Sequence, residues 1–463
     1  MYIKLLVQIS LIVFFYSNPI MAQADNEHYK YPFSDGIHPE KYQERREKVL
    51  NEFSNNSVIL FLSADFYLNI RDYSSKSLLS PNLYYLTGMP PQKAALLLIP
   101  GGIGIDGNTI HEILFVKNQT RNNIKWNGIN MSADNAEKIL QIEKAKDFSM
   151  FDSLMKIIFT DNDTLYIDKP VRTKHFSSDE NGSECDVEPV HKIKNNFPGL
   201  MIKENIPLLS KMRRIKDKDE IKLIQKAVDI SIEGHKAAMK AAKPGIIEYQ
   251  LQAEMEYQFM KNGSERPAYG SIVGGGLNTC FLHYQKNQDT IHDGDLVLMD
   301  CGAKYHGYCA DITRTFPVSG SFTIEQKIIY NIVLEAMDSA FSVCKPGIEF
   351  KEIHAKAKEV IKNRLIEQSI INDPEEVKDY FPHSTSHFLG LNVHDVGTGG
   401  ILESGIVLTI EPGIYIPDGS PCDKRWWNIG IRIEDDVLIT EDGYINLSEK
   451  LARKPEEIEM LMK

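Results

Sequence analysis

The stretch Leu408-Thr409-Ile410-Glu411-Pro412-Gly413, followed after one loop by Ile429-Gly430-Ile431-Arg432-Ile433-Glu434-Asp435-Asp436, decides how this chain is read. Each is a β-like run that ends on, or carries, a carboxylate. Side chains alternate across a strand. Ile429, Ile431 and Ile433 are therefore expected to face a core, with Arg432 and Glu434 on the other side. A carboxylate on a strand otherwise made of isoleucine is costly to bury unless it is paired or binds a metal. Glu411 and Glu434 are the residues that need a chemical reason.

The same pattern occurs earlier in the chain. Asp293-Gly294-Asp295-Leu296-Val297-Leu298-Met299-Asp300 matches Ser404-Gly405-Ile406-Val407-Leu408-Thr409-Ile410-Glu411 as turn, apolar strand and terminal carboxylate. Asp300 lies 17 residues after His283, and Glu411 lies 17 residues after His394. A second carboxylate then follows each, Asp311 and Glu434. Upstream, Lys243-Pro244-Gly245-Ile246 recurs as Lys345-Pro346-Gly347-Ile348. Several matches in one order predict two copies of a helix–strand unit packed face to face around a shared site.

Four carboxylates, Asp300, Asp311, Glu411 and Glu434, cannot share a pocket unneutralised. Two divalent cations would balance them. A further donor comes from Phe381-Pro382-His383-Ser384-Thr385-Ser386-His387. One imidazole among oxygen ligands points to a hard or borderline metal, manganese before zinc or cobalt. Two such ions can hold a bridging hydroxide as nucleophile at neutral pH. Other hydrolase patterns are missing: Ser384 follows His383, so there is no H-E-x-x-H, and there is no G-x-S-x-G elbow.

At 463 residues the chain has room for two domains, and 42% hydrophobic residues suffice for ordinary cores. A net charge of −12 disfavours a nucleic-acid partner. Lys4, the apolar run Leu5 to Tyr16 and Ala22-Gln23-Ala24 read as a signal peptide over residues 1–24. The expected location is therefore secreted or periplasmic, with no membrane attachment after cleavage. Six cysteines (Cys185, Cys280, Cys301, Cys309, Cys344, Cys422) show no C-x-x-C spacing. They are expected to be mostly buried thiols.

Residues 36–205 read as one α/β unit. Pro39 to Asn51 is a charged helix. Val58 to Leu62, Ala94 to Ile99 and Ile113 to Val116 are strands. Ser80 to Gly88 is aromatic and turn-like, and Gly101-Gly102-Ile103-Gly104 is a hairpin turn. The character changes near residue 206. Ile221, Ile224, Val228 and Ile232 predict one apolar face of a long helix that stops near Lys243-Pro244-Gly245. The fold class is α/β (α+β).

Seven stretches together resemble the pita-bread metallopeptidases, nearest the Xaa-Pro aminopeptidases (aminopeptidase P) and next the Xaa-Pro dipeptidases. They are Leu282-His283-Tyr284, Leu298 to Gly302, Asp311 to Pro317, Ser386 to Gly390, Val393 to Gly397, Glu411 to Tyr415 and Gly430 to Asp436. The resemblance implies a pita-bread catalytic domain with an internal pseudo-twofold repeat over 206–463, after a smaller aminopeptidase P N-terminal-like domain over 36–205. It implies that Asp300 chelates one metal, that Asp311 and Glu434 bridge both, and that His387 and Glu411 complete the coordination of the other metal. Glu411 would also carry the proton of the hydroxide. His283 and His394 would bind the substrate backbone and stabilise the tetrahedral intermediate, and His383 would line the proline pocket. Arg432 would orient the ligands, with Tyr415 a lesser candidate.

The implied reaction releases the N-terminal residue from peptides with proline in second position. A dipeptidase, or a peptide-binding relative without catalysis, is the alternative. Dimers or tetramers are common in the family, so a homo-oligomer is expected. Three features depart from its pattern: Ser384-Thr385 after His383, Cys301 after Asp300, and the loop Asp418 to Asn428 with Trp426-Trp427.

Overall fold

The computed structural model describes residues 35–63, 80–89, 92–168, 188–204 and 206–463. The signal segment and Cys185 lie outside the described residues. The N-terminal half holds a six-stranded sheet in the order Lys144–Asp147, Asn108–Val116, Ala94–Ile105, Ser57–Leu62, Thr164–Ile167, Met201–Lys203. The strand Ser57–Leu62 runs antiparallel to Ala94–Ile105 and parallel to Thr164–Ile167. It is buried on both faces, which is why it reads as an unbroken apolar run.

Two local expectations are corrected. The stretch Ser80 to Gly88 is not a turn: Pro81–Thr87 is a helix, with Pro81 in its first turn and Gly88 closing it at φ 64°. Burial of Leu83, Tyr84, Tyr85 and Leu86 explains the run of aromatics. The hairpin does not turn at Gly101 to Gly104. Those residues lie within the strand Ala94–Ile105, beside a register shift between Leu98 and Ile103. The chain reverses at Asp106 (φ 52°) and Gly107 (φ 82°), where both central residues need the left-handed conformation.

In the C-terminal half the helix Lys218–Ala241 starts on an Asp217/Glu220 capping box and ends just before Pro244. It packs on Glu248–Lys261, and Ile324–Phe341 packs on Lys351–Glu367 in the same way. Among the short antiparallel sheets of this half, three frame the site. In one, Leu296–Asp300 lies between Ile272–Gly275 and Thr313–Pro317. In another, Asp435–Ile439 lies between Val407–Ile410 and Tyr444–Asn446. Gly413–Ile416 pairs with Ile429–Arg432.

The internal repeat is visible in the hydrogen bonds. Ile291 N donates to Ile246 O, and Leu402 N donates to Ile348 O, both at 2.8 Å. The two Lys-Pro-Gly-Ile segments thus make the same bridge in each copy. The copies are stitched through the middle. Glu434 N donates to Thr313 O (3.1 Å), and Asp311 N donates to Asp436 Oδ2 (3.0 Å). Fully buried Arg314 donates to Asp435 Oδ1 and Glu434 O, each at 2.7 Å.

One face of the N-terminal sheet, with the helices Pro39–Glu52 and Pro81–Thr87, shares a continuous hydrophobic core with the C-terminal half. The other face packs on Phe151–Asp161 in a core of its own. Among the described residues, no helix is long and apolar enough to cross a membrane. The described cysteines are free thiols. Cys301, Cys309 and Cys344 are buried, and Cys280 and Cys422 are half-buried.

Candidate metal centre

Each acidic side chain arrives from the end of a strand. Asp300 closes Leu296–Asp300, and Asp311 precedes Thr313–Pro317. Glu411 follows Val407–Ile410, and Glu434 sits between Ile429–Arg432 and Asp435–Ile439. The expected alternation has a different outcome from a half-exposed strand. Ile429, Ile431 and Ile433 are buried, and so are Arg432 and Glu434, because the second face is the interior of the site. The chain before Leu389 runs beside Val407–Ile410, with Thr409 N donating to His387 O (3.0 Å) and Glu411 N to Thr385 O (2.8 Å). That pairing brings His387 to the carboxylates.

His387 Nδ1 donates to Phe388 O at 3.2 Å, so Nε2 faces the site. It lies 3.3 Å from Asp311 Oδ2 and 3.5 Å from Glu411 Oε1. Donor atoms of Asp311, His387 and Glu434 all fall within 4.8 Å of one another. Asp300 joins them through Tyr269, whose hydroxyl touches Asp300 Oδ1 at 2.6 Å and also Asp311 Oδ1. One hydroxyl hydrogen cannot serve both oxygens. Thr313 Oγ1 donates to Glu434 Oε2 at 2.6 Å. Glu434 Oε1 is buried and, among the described residues, has no hydrogen-bond partner.

The electrostatics follow from this crowding. Burial, then the charges of Asp311, Glu411 and Asp300, push Glu434 well above the carboxylate range. Burial also raises Asp311 and takes Glu411 up to about 7. Burial works against a charged His387, but its bond to Asp311 and the charge of Glu411 outweigh it and raise the imidazole to about 9. The charges that oppose the four carboxylates come from Arg432 and His387. Cation binding would relieve that imbalance and would give Glu434 Oε1 a partner, so the residues present fit a divalent-metal site.

A hydrogen-bonded chain leads away from Asp300. Arg432 Nη2 donates to Asp300 Oδ2 (2.7 Å) and Arg432 Nη1 to Tyr415 Oη (2.9 Å). His383 Nδ1 lies 2.8 Å from Ser384 O, which can only accept, so Nδ1 carries the hydrogen. His383 Nε2 then accepts from the Tyr415 hydroxyl at 2.8 Å. Burial and the Arg432 charge push His383 down to about 4, which keeps it neutral as this chain requires. Tyr415 is thus the link between Arg432 and His383.

His394 is exposed, with its ring 4.3 Å from that of His387 in edge-on contact. His283 is exposed at the rim, where Leu282 and Tyr284 pack with Ile272, Leu298 and Tyr415. The loop Asp418 to Asn428 sits at the far end of its hairpin. Gly413 pairs with Arg432 at the site, whereas Ile416 pairs with Ile429 next to the loop. Cys301 is a buried thiol directed at Ile272 O (3.6 Å).

Three supporting residues escaped the sequence reading. Tyr269 and Thr313 have no local signal, because their partners are far along the chain. His235, on the helix Lys218–Ala241, places Nε2 3.1 Å from both Cys301 O and Ile312 O. It therefore donates from Nε2 and fastens the residues that follow Asp300 and Asp311. Burial pushes it down to about 4, so it is neutral.

The chain is similar to known proteins along most of its length. The family model "Metallopeptidase family M24" matches residues 222–441, and "Aminopeptidase P, N-terminal domain" matches residues 42–166. The Xaa-Pro aminopeptidase of Escherichia coli K12 is 34% identical over 441 residues, which is 92% of this chain and 98% of the relative. The structure of Pseudomonas aeruginosa aminopeptidase PepP superposes with a TM-score of 0.82 at 33% identity. E. coli aminopeptidase P with the inhibitor Pro-Leu superposes with a TM-score of 0.81 at 32% identity. Both comparisons cover 92% of this chain and 98% of the other. On this evidence of sequence and fold together, the chain belongs to the Xaa-Pro aminopeptidase (aminopeptidase P) family of M24 metallopeptidases.

Proposed function

We propose that this protein is a dinuclear-metal aminopeptidase that releases the N-terminal residue from peptides with proline in second position. The observation that carries this reading is the gathering of Asp300, Asp311, His387, Glu411 and Glu434 at one buried site with an unpartnered oxygen on Glu434. Membership of a family of Xaa-Pro aminopeptidases supports the substrate class. Asp311 and Glu434 would bridge two divalent ions, Asp300 would hold one, and His387 and Glu411 the other. The mixed oxygen and imidazole set favours manganese over zinc or cobalt. When bound, the ions would supply an activated water at neutral pH and polarise the scissile carbonyl.

The side chains do the rest. Glu411, a carboxylate within the donor set, would take up and return the proton of the activated water. His394 and His283 line the approach and would hold the substrate carbonyl oxygen and backbone. Arg432 locks Asp300 and Tyr415, and Tyr415 locks neutral His383 against the proline ring. A bond before proline has no N–H and a restricted backbone, so a dedicated pocket is required. We also propose a domain division at 205/206, export to a periplasmic or secreted location after removal of residues 1–24, and a homo-oligomeric state.

Hydrolysis of Xaa-Pro dipeptides against longer Xaa-Pro peptides, with and without added manganese, tests the reading. Longer peptides should be cleaved between Xaa and Pro. Activity on dipeptides alone would make the protein a dipeptidase. Asp311→Ala and Glu434→Ala should each abolish turnover, and near-normal rates in either would remove its bridging role.

A further inference from the structure

Both exposed site histidines ride on segments without regular secondary structure, and each segment is anchored by one buried carboxylate. For His283 the anchor is Glu248, fully buried within the catalytic half. Glu248 Oε1 accepts from Gly275 N (2.8 Å) and Asn278 Nδ2 (2.9 Å). Glu248 Oε2 accepts from Tyr284 Oη (2.9 Å) and Asp289 N (3.0 Å). For His394 the anchor is its neighbour Asp395, and the arrangement differs.

Asp395 Oδ1 accepts from Arg213 Nη2, and Lys216 Nζ donates to Asp395 Oδ2 at 3.3 Å. All three side chains are almost completely buried, at 1%, 3% and 1% exposure for Asp395, Arg213 and Lys216. Both cations lie where the chain crosses between the two halves. Arg213 Nη1 donates to Asn82 Oδ1 at 2.7 Å, and Asn82 Nδ2 donates to Asp168 Oδ1 at 2.8 Å. Asn82 and Asp168 belong to the N-terminal half. The fit at Asp395 is tight. A Cβ at Gly390 would lie 2.2 Å from Asp395 Oδ2 and 3.0 Å from Lys216 Cε. Asp395 N donates to Phe388 O at 2.8 Å, so the residue after His394 is fixed by backbone and side chain together.

A buried ion pair is weak evidence for stability, since apolar residues of similar size hold an interface as well or better. This interface already has a continuous apolar core. What the pair adds is a defined place for the residue beside His394. We propose that Asp395 is a positioning residue for His394, and that the N-terminal domain sets that position through Asn82 and Arg213. This rests on the placement of His394 at the substrate site. A displacement of the imidazole by about 1 Å can cost up to about 100-fold in rate.

Double-mutant cycles on the manganese-loaded full-length enzyme test this, with kcat and KM for an Xaa-Pro tripeptide as the readout. Asp395→Asn should lower kcat about 10-fold or more, with metal content unchanged and KM within about 2-fold. Asn82→Ala, which loses only single hydrogen bonds on a half-buried residue, should lower kcat about 3-fold. In a His394→Ala background each substitution should cost less than about 2-fold, because its effect passes through the missing imidazole. The same full loss in both backgrounds would overturn the proposal while leaving the role of His394 standing. Wild-type turnover in His394→Ala alone would overturn both. If Asp395→Asn does not fold, the Asn82 cycle decides alone.

Discussion

Loading the site with metal should expel at least about one proton per chain near pH 7.5. The number comes from the protons that the crowded site holds without metal. His387 is raised to about 9, because its bond to Asp311 and the charge of Glu411 outweigh the cost of burying it. At pH 7.5 it is therefore ~97% protonated. Burial and its acidic neighbours push Glu434 upward as well, which can only add to the count. Glu411, at about 7, holds roughly a quarter of one. Ligands must be deprotonated to bind, so these protons leave as metal enters.

Since protons are released on binding, affinity rises with pH. The slope should be at least about one log unit of overall affinity per pH unit near 7.5, and it should become shallower above about pH 9, where free His387 loses its proton. Calorimetric titration with manganese in buffers of different ionisation enthalpy reads the proton count directly. His387→Ala should lower the count by about one. Release of less than about half a proton, or no change in His387→Ala, would refute the reasoning that the acidic neighbours hold a proton on His387.

Thr313→Val removes the donor to Glu434 Oε2 and the acceptor 3.2 Å from Arg432 Nε. It should lower kcat about 10-fold or more without unfolding the chain, as seen by steady-state kinetics beside a thermal melt. Arg46→Met leaves buried Glu112 without its cation and frees Leu86 O and Gln141 O, which fully buried Arg46 now binds at 2.9 and 2.7 Å. Breaking this pair should cost about 3–5 kcal/mol in denaturant unfolding of the N-terminal half. Gly390→Ala forces a methyl group against Asp395 and should destabilise by about 1–3 kcal/mol, checked by the same melt.

The site was legible in the sequence to the degree that its parts lie at repeating places. Strands that end on Asp300 and Glu411 carry their carboxylates to one layer because an apolar strand stops where the core stops. The repeat then supplies Asp311 and Glu434, one just before a strand and one between two strands. The secondary structure of residues 80–105 was less legible. Aromatic residues in a short helix and glycines inside a strand look like turns until burial and register show otherwise.

By itself, then, the sequence determined the two-part α/β organisation, the internal repeat and the set of acidic and imidazole groups that meet. It could do so because these depend on local periodicity and on residue type. Only the tertiary structure decided which groups hold them. Tyr269 reaches across 42 residues to Asp311, Thr313 across 121 to Glu434, and Arg213 across 182 to Asp395. Such contacts carry no period along the chain. They exist because the two copies and the N-terminal half pack against one another, and that packing turns Glu411 and Glu434 into part of a site with a fixed surround.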